Sequence, residues 1–249
     1  MKNQYVGDIG DYGKYGLLRF LASRGIRIGV NWYLTDNDET KDGKFTNYLK
    51  DADIMGDMQY DKDLFYLLQP IVEKGKSNKC VQDIEKAGII PKAVFFHEML
   101  PKSNTPNRCD WHNRAMDALS ITDVDLIFAD PDNGTFRDKK KLPIRSSEKY
   151  AMLEELREFY DAGKNVVYYC HKARRKQEAW AEKKHEFNDE KHHAKIIVLT
   201  FHRGTQRSYI FAIHPEDYDK YDDIVNDFLK SAWGSVSIGR KEPPFSREK

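Results

Sequence analysis

Short apolar runs alternate along this chain with longer stretches in which apolar residues recur at every third or fourth position. Runs dense in Val, Ile, Phe and Tyr at consecutive positions are typical of strands that are buried on both faces. Stretches with the longer period are typical of helices with one buried face. The predicted strands are residues 26–34, 93–97, 124–129, 165–170, 195–201 and 208–213.

Helices are predicted between most of these strands. The first covers residues 12–23 with Asp11 as its N-cap, and the clearest covers residues 148–162 with Ser146 or Ser147 as its cap. The others cover residues 110–119, 176–187 and 215–232, together with a helical region over 46–86. Strands that alternate with helices in this way imply parallel βαβ units and a doubly wound α/β sheet.

The end of the chain departs from this alternation. Only His-Arg-Gly-Thr-Gln-Arg separates residue 201 from residue 208, which is too short for a crossover helix and predicts an antiparallel hairpin. We therefore expect a doubly wound, mostly parallel, Rossmann-like sheet with a C-terminal antiparallel β-hairpin. A single domain is expected over residues 1–233, with a helical insertion around 46–90 and a loose C-terminal tail over 234–249.

Composition excludes several classes of protein. The 249 residues carry 41 Lys and Arg against 40 Asp and Glu, so bulk positive charge cannot drive nucleic-acid binding, whereas a local basic patch can. No apolar run is long enough for a membrane span, and the first residues lack the apolar region of a secretory signal. Cys80, Cys109 and Cys170 are far apart and odd in number, which argues against a disulfide framework. We expect a cytoplasmic protein without membrane contact.

The strongest local signal is the sequence Asp-Pro-Asp-Asn-Gly at 130–134, which directly follows a predicted buried strand. Ligands of open α/β sheets bind at the carboxyl ends of the strands, so Asp130, Asp132 and Asn133 are candidates for catalysis. An ordinary turn is the alternative, since the same residue types form turns. His97 ends another predicted strand at the same edge and is a candidate general base.

A family resemblance rests on three motifs. The strand that ends in Asp-Pro-Asp-Asn resembles the Asp/Asn-Pro-Pro-aromatic motif of amino-group methyltransferases. The N-terminal DYGKYGLLRFL resembles the D-x-x-K-H-x-x-L helix of the large-subunit ribosomal RNA adenine-N6 methyltransferases and of the three-Cys-motif partner proteins, and RGTQRSYIFAIHP resembles their final hairpin. The resemblance implies a class I S-adenosylmethionine-dependent methyltransferase fold. The turn after the first strand, TDNDETKDGKF, contains one glycine where that class is Gly-rich.

By this resemblance, the chain methylates an amino group of a nucleic acid or a nucleotide-like substrate. Asp130 would accept a hydrogen bond from the target amine, and Asp132 or Asn133 would help to orient it. S-adenosylmethionine would lie among candidate cofactor-binding residues at the crevice, which are Asn31, Asp36, Lys14 and Asp11. The glycines near the N-terminus predict a flexible segment that brings Asp8, Asp11 and Lys14 over this crevice.

Two alternatives remain open on the same fold. In the first, Asp36, Asp130 and Asp132 hold Mg²⁺ or Mn²⁺ for phosphodiester cleavage, because hard cations prefer carboxylate oxygens. In the second, the chain is a degenerate, non-catalytic domain that binds nucleic acid or a protein partner. Fold alone does not choose among these functions.

Basic residues follow two of the strands that end at the predicted crevice. Several cations within a few residues suit the phosphates of a nucleic-acid backbone, which arginine can bind through two parallel hydrogen bonds. The predicted nucleic-acid contacts are Lys172, Arg174, Arg175, Lys139 and Lys140.

Overall fold

The computed structural model describes residues 1–40, 43–50, 56, 59–101, 106–121, 123–137, 144–172, 175–237 and 242–248; the side chains of residues 106 and 144–146 are outside this description. Nine strands are found in the described residues. They are β1 (Ile28–Asn31), β2 (Val94–Phe96), β3 (Leu126–Ala129), β4 (Gly134–Phe136), β5 (Tyr150–Met152), β6 (Asn165–Cys170), β7 (Lys195–Phe201), β8 (Arg207–Ile213) and β9 (Phe245–Arg247).

Seven of these strands form the central sheet, in the order β2-β1-β3-β6-β8-β7-β9, and β4 with β5 forms a small second sheet. Strands β2, β1, β3 and β6 pair in parallel. The remaining pairs, β6 with β8, β8 with β7 and β7 with β9, are antiparallel. Five strands therefore run in one direction and two, β8 and β9, run in the other. The predicted α/β class is confirmed.

Eight α-helices are found in the described residues. They are α1 (Ile9–Ser23), α2 (Lys62–Glu73), α3 (Val81–Lys86), α4 (Pro106–Leu119), α5 (Leu153–Asp161), α6 (Gln177–His185), α7 (Tyr218–Lys230) and α8 (Ala232–Ser235). Short 3₁₀ turns occur at Asn3–Tyr5, Asn47–Leu49, Ile144–Lys149 and Pro215–Asp217. No helix in this part of the chain has the length and apolarity that crossing a bilayer requires.

The core lies on both faces of the sheet, and β3 shows why. Its alternate residues point in opposite directions, as the pleat of a strand requires. Leu126 and Phe128 pack in a cluster with α1, α2, α3 and α7, whereas Ile127 and Ala129 pack in a second cluster with α4, α5 and α6. All four side chains are fully buried. This two-sided burial is the reason that the sequence of β3 is continuously apolar.

The predicted start of the first helix is wrong by one turn. Helix α1 begins at Ile9, and its N-cap is Asp8, whose carboxylate accepts a hydrogen bond from the backbone N–H of Asp11 at 2.9 Å. Asp11 lies inside the first turn instead, which frees its side chain for other contacts. The N-terminal glycines do not form a flexible segment, because Gly10, Gly13 and Gly16 belong to α1.

The predicted helix over residues 148–162 also begins too early. Residues 150–152 form β5, which pairs in parallel with β4. Helix α5 begins at Leu153, and the backbone N–H of Met152 donates to the carboxylate of Glu155 at 3.0 Å. The predicted apolar stripe is confirmed from Leu153 onward, but Tyr150 lies in strand β5. Pairing with β4, a non-local contact, decides the conformation of this residue.

The predicted loose tail is wrong for its last described residues. Strand β9 pairs antiparallel with β7 from Leu199 to Phe201. The side chain of Phe245 is buried, and the indole of Trp180 donates to Glu248 at 2.7 Å. A single large apolar residue in a polar segment is enough to dock this segment, because its burial stabilises the added strand.

Candidate functional site

The Asp130 turn lies where the sheet reverses its strand order. From β1 the chain continues to β2 on one side, while β3 pairs with β1 on the other side. Such a switch point opens a crevice at the carboxyl ends of the two strands. The backbone N–H of Asp130 donates to the carbonyl of Asn31 at 3.0 Å, so the turn begins directly at this crevice.

A cavity of about 90 Å³ occupies this position, and we call it the crevice cavity. Its walls are the N-terminal part of α1, the Asp130 turn and the neighbouring ends of β6 and β8. It is lined by Met1, Tyr5, Asp8, Gly10, Asp11, Lys14, Asp130, Pro131, Asp132, Tyr169, Arg207 and Tyr209. Four predicted site residues, Asp11, Lys14, Asp130 and Asp132, are therefore brought together.

Lys14 is buried between two carboxylates. Its Nζ lies 2.7 Å from Asp11 Oδ1 and 2.7 Å from Asp130 Oδ2, and it faces the rings of Tyr15 and Trp32 at 5.1 and 5.3 Å. Burial alone would lower the pKa of Lys14, but the attraction of Asp11 and Asp130 outweighs it and raises this pKa. Lys14 is thus a fixed positive charge that holds α1 against the end of β3.

Two carboxyl groups of the crevice cavity have raised pKa values. Burial raises the pKa of Asp130, although Lys14 opposes the shift. Burial also raises the pKa of Asp8, against the opposing attraction of Arg207, whose Nη2 lies 3.2 Å away. Carboxyl groups with raised pKa values in a cavity are candidates for a general acid or base.

Asp132 completes the carboxylate wall. Its Oδ1 is buried and lies 2.7 Å from the Met1 ammonium, an ion pair by distance that is not aligned as a hydrogen bond. The same ammonium donates to the carbonyls of Tyr33 and Asp130 at 3.1 and 2.9 Å. Asp132 Oδ1 thus retains capacity to accept a hydrogen bond.

Three glycines allow α1 to approach this site. A Cβ on Gly10 would lie 1.9 Å from the guanidinium carbon of Arg207, and Cβ atoms on Gly13 and Gly16 would lie 2.5 and 2.2 Å from Phe201 and Trp233. Their three-residue spacing puts them on one face of the helix. This spacing was visible in the sequence, but it indicates a close helix contact and not flexibility.

A second cavity, of about 380 Å³, adjoins the first, and we call it the outer cavity. The two share Tyr5, Asp8, Asp132, Tyr169 and Arg207 in their walls. The outer cavity adds Asp38, Thr40, Gly43, Phe45, Asn133, Lys149, His171 and Thr205. Asn133 therefore lies beside the crevice cavity and not in it. Burial, then the charges of Arg207 and Arg175, lower the pKa of His171.

Three other predicted site residues lie apart from both cavities. The side chain of His97 is exposed and pairs with Glu85 at 3.1 Å. Asp36 is exposed, and its carbonyl accepts from Lys2 at 2.6 Å. Asn31 is buried at the end of β1, where its Oδ1 accepts from the backbone N–H of Tyr33 at 3.2 Å.

The predicted nucleic-acid contacts are only partly described. The Nζ of Lys172 lies over the ring of Trp180 at 5.8 Å. Arg175 donates to the backbone carbonyls of His171 and Lys172. Arg174, Lys139 and Lys140 lie outside the described residues. Neither Lys172 nor Arg175 lines the crevice cavity or the outer cavity.

Sequence reasoning missed Arg207, Tyr169 and Tyr209. The tyrosines are in the apolar runs of β6 and β8, which the sequence predicts to be core strands, and the centroids of their rings are 6.3 Å apart. Arg207 is in the predicted connection between the last two strands but begins β8 in the structure. No sequence signal marks it, because its nearness to the Asp130 turn depends on the pairing of β8 with β6.

The end of β1 does not fit S-adenosylmethionine. The backbone N–H groups of Trp32, Tyr33 and Thr35 all donate to acceptors within the chain, at 2.8 to 3.2 Å, and these three residues are buried. None is left for a cofactor carboxylate. Ligand clefts usually have about 300–1,000 Å³; the crevice cavity has about 90 Å³, and only the adjoining outer cavity, with about 380 Å³, reaches this range. Methyl transfer stays a prediction from the sequence.

In the part of the chain that the structure describes, no three His, Cys, Asp or Glu side chains are grouped so that they could hold a metal ion. Asp130 and Asp132 each lie against a positively charged group, and Asp36 lines neither cavity.

Comparison with models of known protein families gives no match, and comparison with curated proteins gives no significant match.

Proposed function

We propose that the crevice cavity binds the exocyclic amino group of a nucleobase, and that the chain is a domain with a methyltransferase-like fold that binds nucleotides or nucleic acid. The observation that carries this proposal is the charge of the cavity wall. Four carboxylates, Asp8, Asp11, Asp130 and Asp132, face two basic side chains and the Met1 ammonium. A wall with this excess of acceptors suits a ligand edge that donates hydrogen bonds.

The shape of the two cavities supports a planar ligand. The crevice cavity is narrow and polar, which suits the amino edge of a base. The outer cavity is larger and has the partly buried ring of Tyr169 in its wall, so it suits the rest of the ring and the ribose. The order of the parallel strands and the antiparallel β7 and β8 is compatible with the Rossmann-like, methyltransferase-like fold that the sequence motifs imply.

The chemistry available to the bound amino group is proton transfer. Asp130 and Asp8 line the cavity, and burial raises the pKa of both carboxyls, so either can accept the proton that the amine releases when its nitrogen forms a new bond. Lys14 and Arg207 keep these carboxyls in place through ion pairs. The resemblance implies that Asp130 accepts a hydrogen bond from the target amine, and its place in the cavity wall supports this role.

The amino group provides a sharp ligand test. In IMP a carbonyl replaces the exocyclic amino group of AMP, and N1 changes from an acceptor to an N–H donor. At the exocyclic position the donor is thus replaced by an acceptor that faces the carboxylate wall. We expect AMP to bind about 10- to 100-fold more tightly than IMP, because a hydrogen bond to a charged acceptor contributes about 1.5–3 kcal/mol. Isothermal titration calorimetry at fixed pH and salt measures both dissociation constants.

Asp132→Asn is the matched variant, because the amide keeps the size of the side chain and adds an N–H donor. We expect it to remove the preference for AMP, while Asp219→Asn, an exposed residue on α7, keeps it. Equal binding of AMP and IMP by the unchanged chain, or an Asp132→Asn variant with the original preference, would contradict the proposal.

S-adenosylmethionine should give no saturable heat at millimolar concentration, since the backbone N–H groups of Trp32, Tyr33 and Thr35 are already bound. Calorimetry with the cofactor, and with S-adenosylhomocysteine as the analogue that lacks the sulfonium charge, measures this. Saturable binding of either ligand would show that the end of β1 opens, and would return methyl transfer to first place among the candidate functions.

A further inference from the structure

A groove of about 700 Å³ lies between residues 43–50 and the end of α2, and we call it the lysine groove. Four lysines line it, Lys44, Lys50, Lys76 and Lys79, together with one acidic residue, Glu73. The chain as a whole is nearly neutral, so this charge is a local excess. A groove lined by one sign of charge concentrates its field and attracts ions of the opposite sign.

Lys79 distinguishes the groove from an ordinary exposed basic surface. It is 4% exposed, and no described residue gives its Nζ a hydrogen bond or an ion pair. Burial lowers the pKa of Lys79, and Asp11 and Asp8 act against this shift from beyond ion-pair distance. A cation that lines the groove and has no direct partner among the described residues is available to an anionic ligand.

The walls of the groove are held by contacts within the chain. Gln69 on α2 donates to the carbonyl of Leu49 at 2.9 Å, and Lys76 donates to the carbonyl of Thr40 at 2.5 Å. The carbonyl of Phe45 accepts from the N–H of Ile9 at 3.0 Å. These bonds tie residues 43–50 to both α1 and α2, so the lysines are presented by a fixed backbone.

Gly43 lines both the lysine groove and the outer cavity, so the two adjoin. Its φ is +77°, and a Cβ there would lie 2.4 Å from the carbonyl oxygen of Gln4, so only glycine fits. The next aromatic residue, Phe45, is 56% exposed and lines the outer cavity. A basic groove beside an exposed aromatic ring is the arrangement by which proteins hold single strands, with phosphates on the cations and a base on the ring.

We propose that the lysine groove binds the phosphodiester backbone of a single-stranded nucleic acid, with a base stacked on Phe45, and that the strand continues toward the crevice cavity. This inference deepens the proposed function, since it makes the nucleobase part of a strand and not of a free nucleotide. It places the backbone contact in the lysine groove, which neither Lys172 nor Arg175 lines, although the sequence alone suggested those two residues for it.

Oligothymidylate of twelve nucleotides, labelled with fluorescein, is the probe, because thymine has no exocyclic amino group and leaves the crevice untested. Fluorescence anisotropy measures its affinity for the full chain and for the triple variant Lys44→Ala, Lys50→Ala, Lys76→Ala. We expect the triple variant to bind about 100-fold more weakly at 0.1 M salt and to have a log–log salt slope shallower by about 2, since each phosphate contact contributes about 0.7 on single strands.

The matched control removes three exposed lysines elsewhere, with Lys195→Ala, Lys220→Ala and Lys230→Ala. It should keep the affinity and the slope of the unchanged chain. Phe45→Ala should weaken oligothymidylate binding about 5- to 100-fold, because stacking contributes about 1–3 kcal/mol per base. The same variant should leave competition by inorganic tripolyphosphate unchanged.

Equal affinities for the two triple variants would overturn the proposal, and so would a chain that binds tripolyphosphate but not oligothymidylate. Lys79→Met is a separate check, since its melting temperature reports whether Lys79 contributes to the stability of the free protein. We expect an unchanged or higher melting temperature together with weaker oligothymidylate binding; a lower temperature with full binding would assign Lys79 to structure. If oligothymidylate binds as expected while AMP and IMP bind equally, the single-strand proposal for the lysine groove is supported and the proposal that the crevice cavity binds an amino group is contradicted.

Discussion

Lys14→Met is expected to lower the free energy of unfolding by about 3–5 kcal/mol. The substitution keeps the length and apolar stem of the side chain but leaves Asp11 and Asp130 without the cation that both contact at 2.7 Å. Removal of one partner from a buried ionic group has this cost because the remaining charges cannot reach water. Urea denaturation at pH 7, followed by tryptophan fluorescence, measures the change.

A double variant separates lost charge compensation from lost packing. Lys14→Met with Asp130→Asn removes the cation together with one of its two carboxylates, so it should recover part of the loss. Lys220→Met, on the exposed face of α7, is the control and should change the free energy by less than about 0.5 kcal/mol. A loss below about 1 kcal/mol for Lys14→Met would mean that water reaches the pair and that the crevice is open.

The strands were the most predictable part of the fold because their signal is local. Residues 165–170 and 195–201 were predicted with the bounds that β6 and β7 have, since continuous Val, Ile and Tyr fit only a strand buried on two faces. The shorter β1 shows the limit of this argument. Trp32 and Tyr33 extend the apolar run beyond Asn31, but they leave the strand, and Tyr33 has a φ of +45°.

The errors arose where a non-local contact decides the local structure. Tyr150 fits a helix by its spacing, yet it pairs with Gly134 across the small second sheet. Phe245 is the only large apolar residue of a polar segment, yet it is buried and lies in strand β9, which pairs with β7. Asp8 and Asp11 are equally good caps by residue type, and the contact of Asp11 with Lys14 and Tyr15 decides between them.

The sequence predicts the part of the candidate site that the Asp130 turn forms, but not the part that β8 forms. Asp130 follows the most apolar strand of the sheet, and strand order alone puts it at the crevice. Arg207 and Tyr209 reach the same cavity from β8, which is inserted next to β6 by antiparallel pairing. No spacing along the chain connects residue 130 with residue 207, so this side of the site depends on the sheet.

The second large effect is expected at Arg108, which joins α4 to the segment that carries β5 and α5. Its Nε and Nη2 lie 2.6 and 2.9 Å from the two carboxylate oxygens of Glu155, and its guanidinium also donates to the carbonyls of Ser147 and Tyr150 at 3.2 and 2.7 Å. Both side chains of the pair are buried. Arg108→Met should therefore lower the free energy of unfolding by about 3–5 kcal/mol at pH 7.

The pH dependence of this loss identifies its cause. Burial would raise the pKa of Glu155, but the charge of Arg108 outweighs burial and lowers this pKa below its value in the unfolded chain. The ion pair therefore stabilises the protein at pH values above the unfolded pKa. This stabilisation is lost as the pH falls through the folded pKa. Without Arg108, burial dominates and the pKa of Glu155 rises. Acid then protonates the Glu155 carboxylate, and this removes the free-energy cost of a buried charge that has no partner.

The difference between the unchanged chain and Arg108→Met should consequently shrink as the pH is lowered from 7 to about 4, near the ordinary pKa of a glutamate. Urea denaturation at each pH measures it. Arg114→Met is the control, because this arginine also lies on α4 and also pairs with a glutamate, Glu98, at 2.8 Å, but at an exposed position. It should change the free energy of unfolding far less than Arg108→Met does, because exposed ion pairs contribute little to stability. A loss for Arg108→Met that stays constant from pH 7 to 4 would instead assign the effect to lost packing and to the two carbonyl contacts.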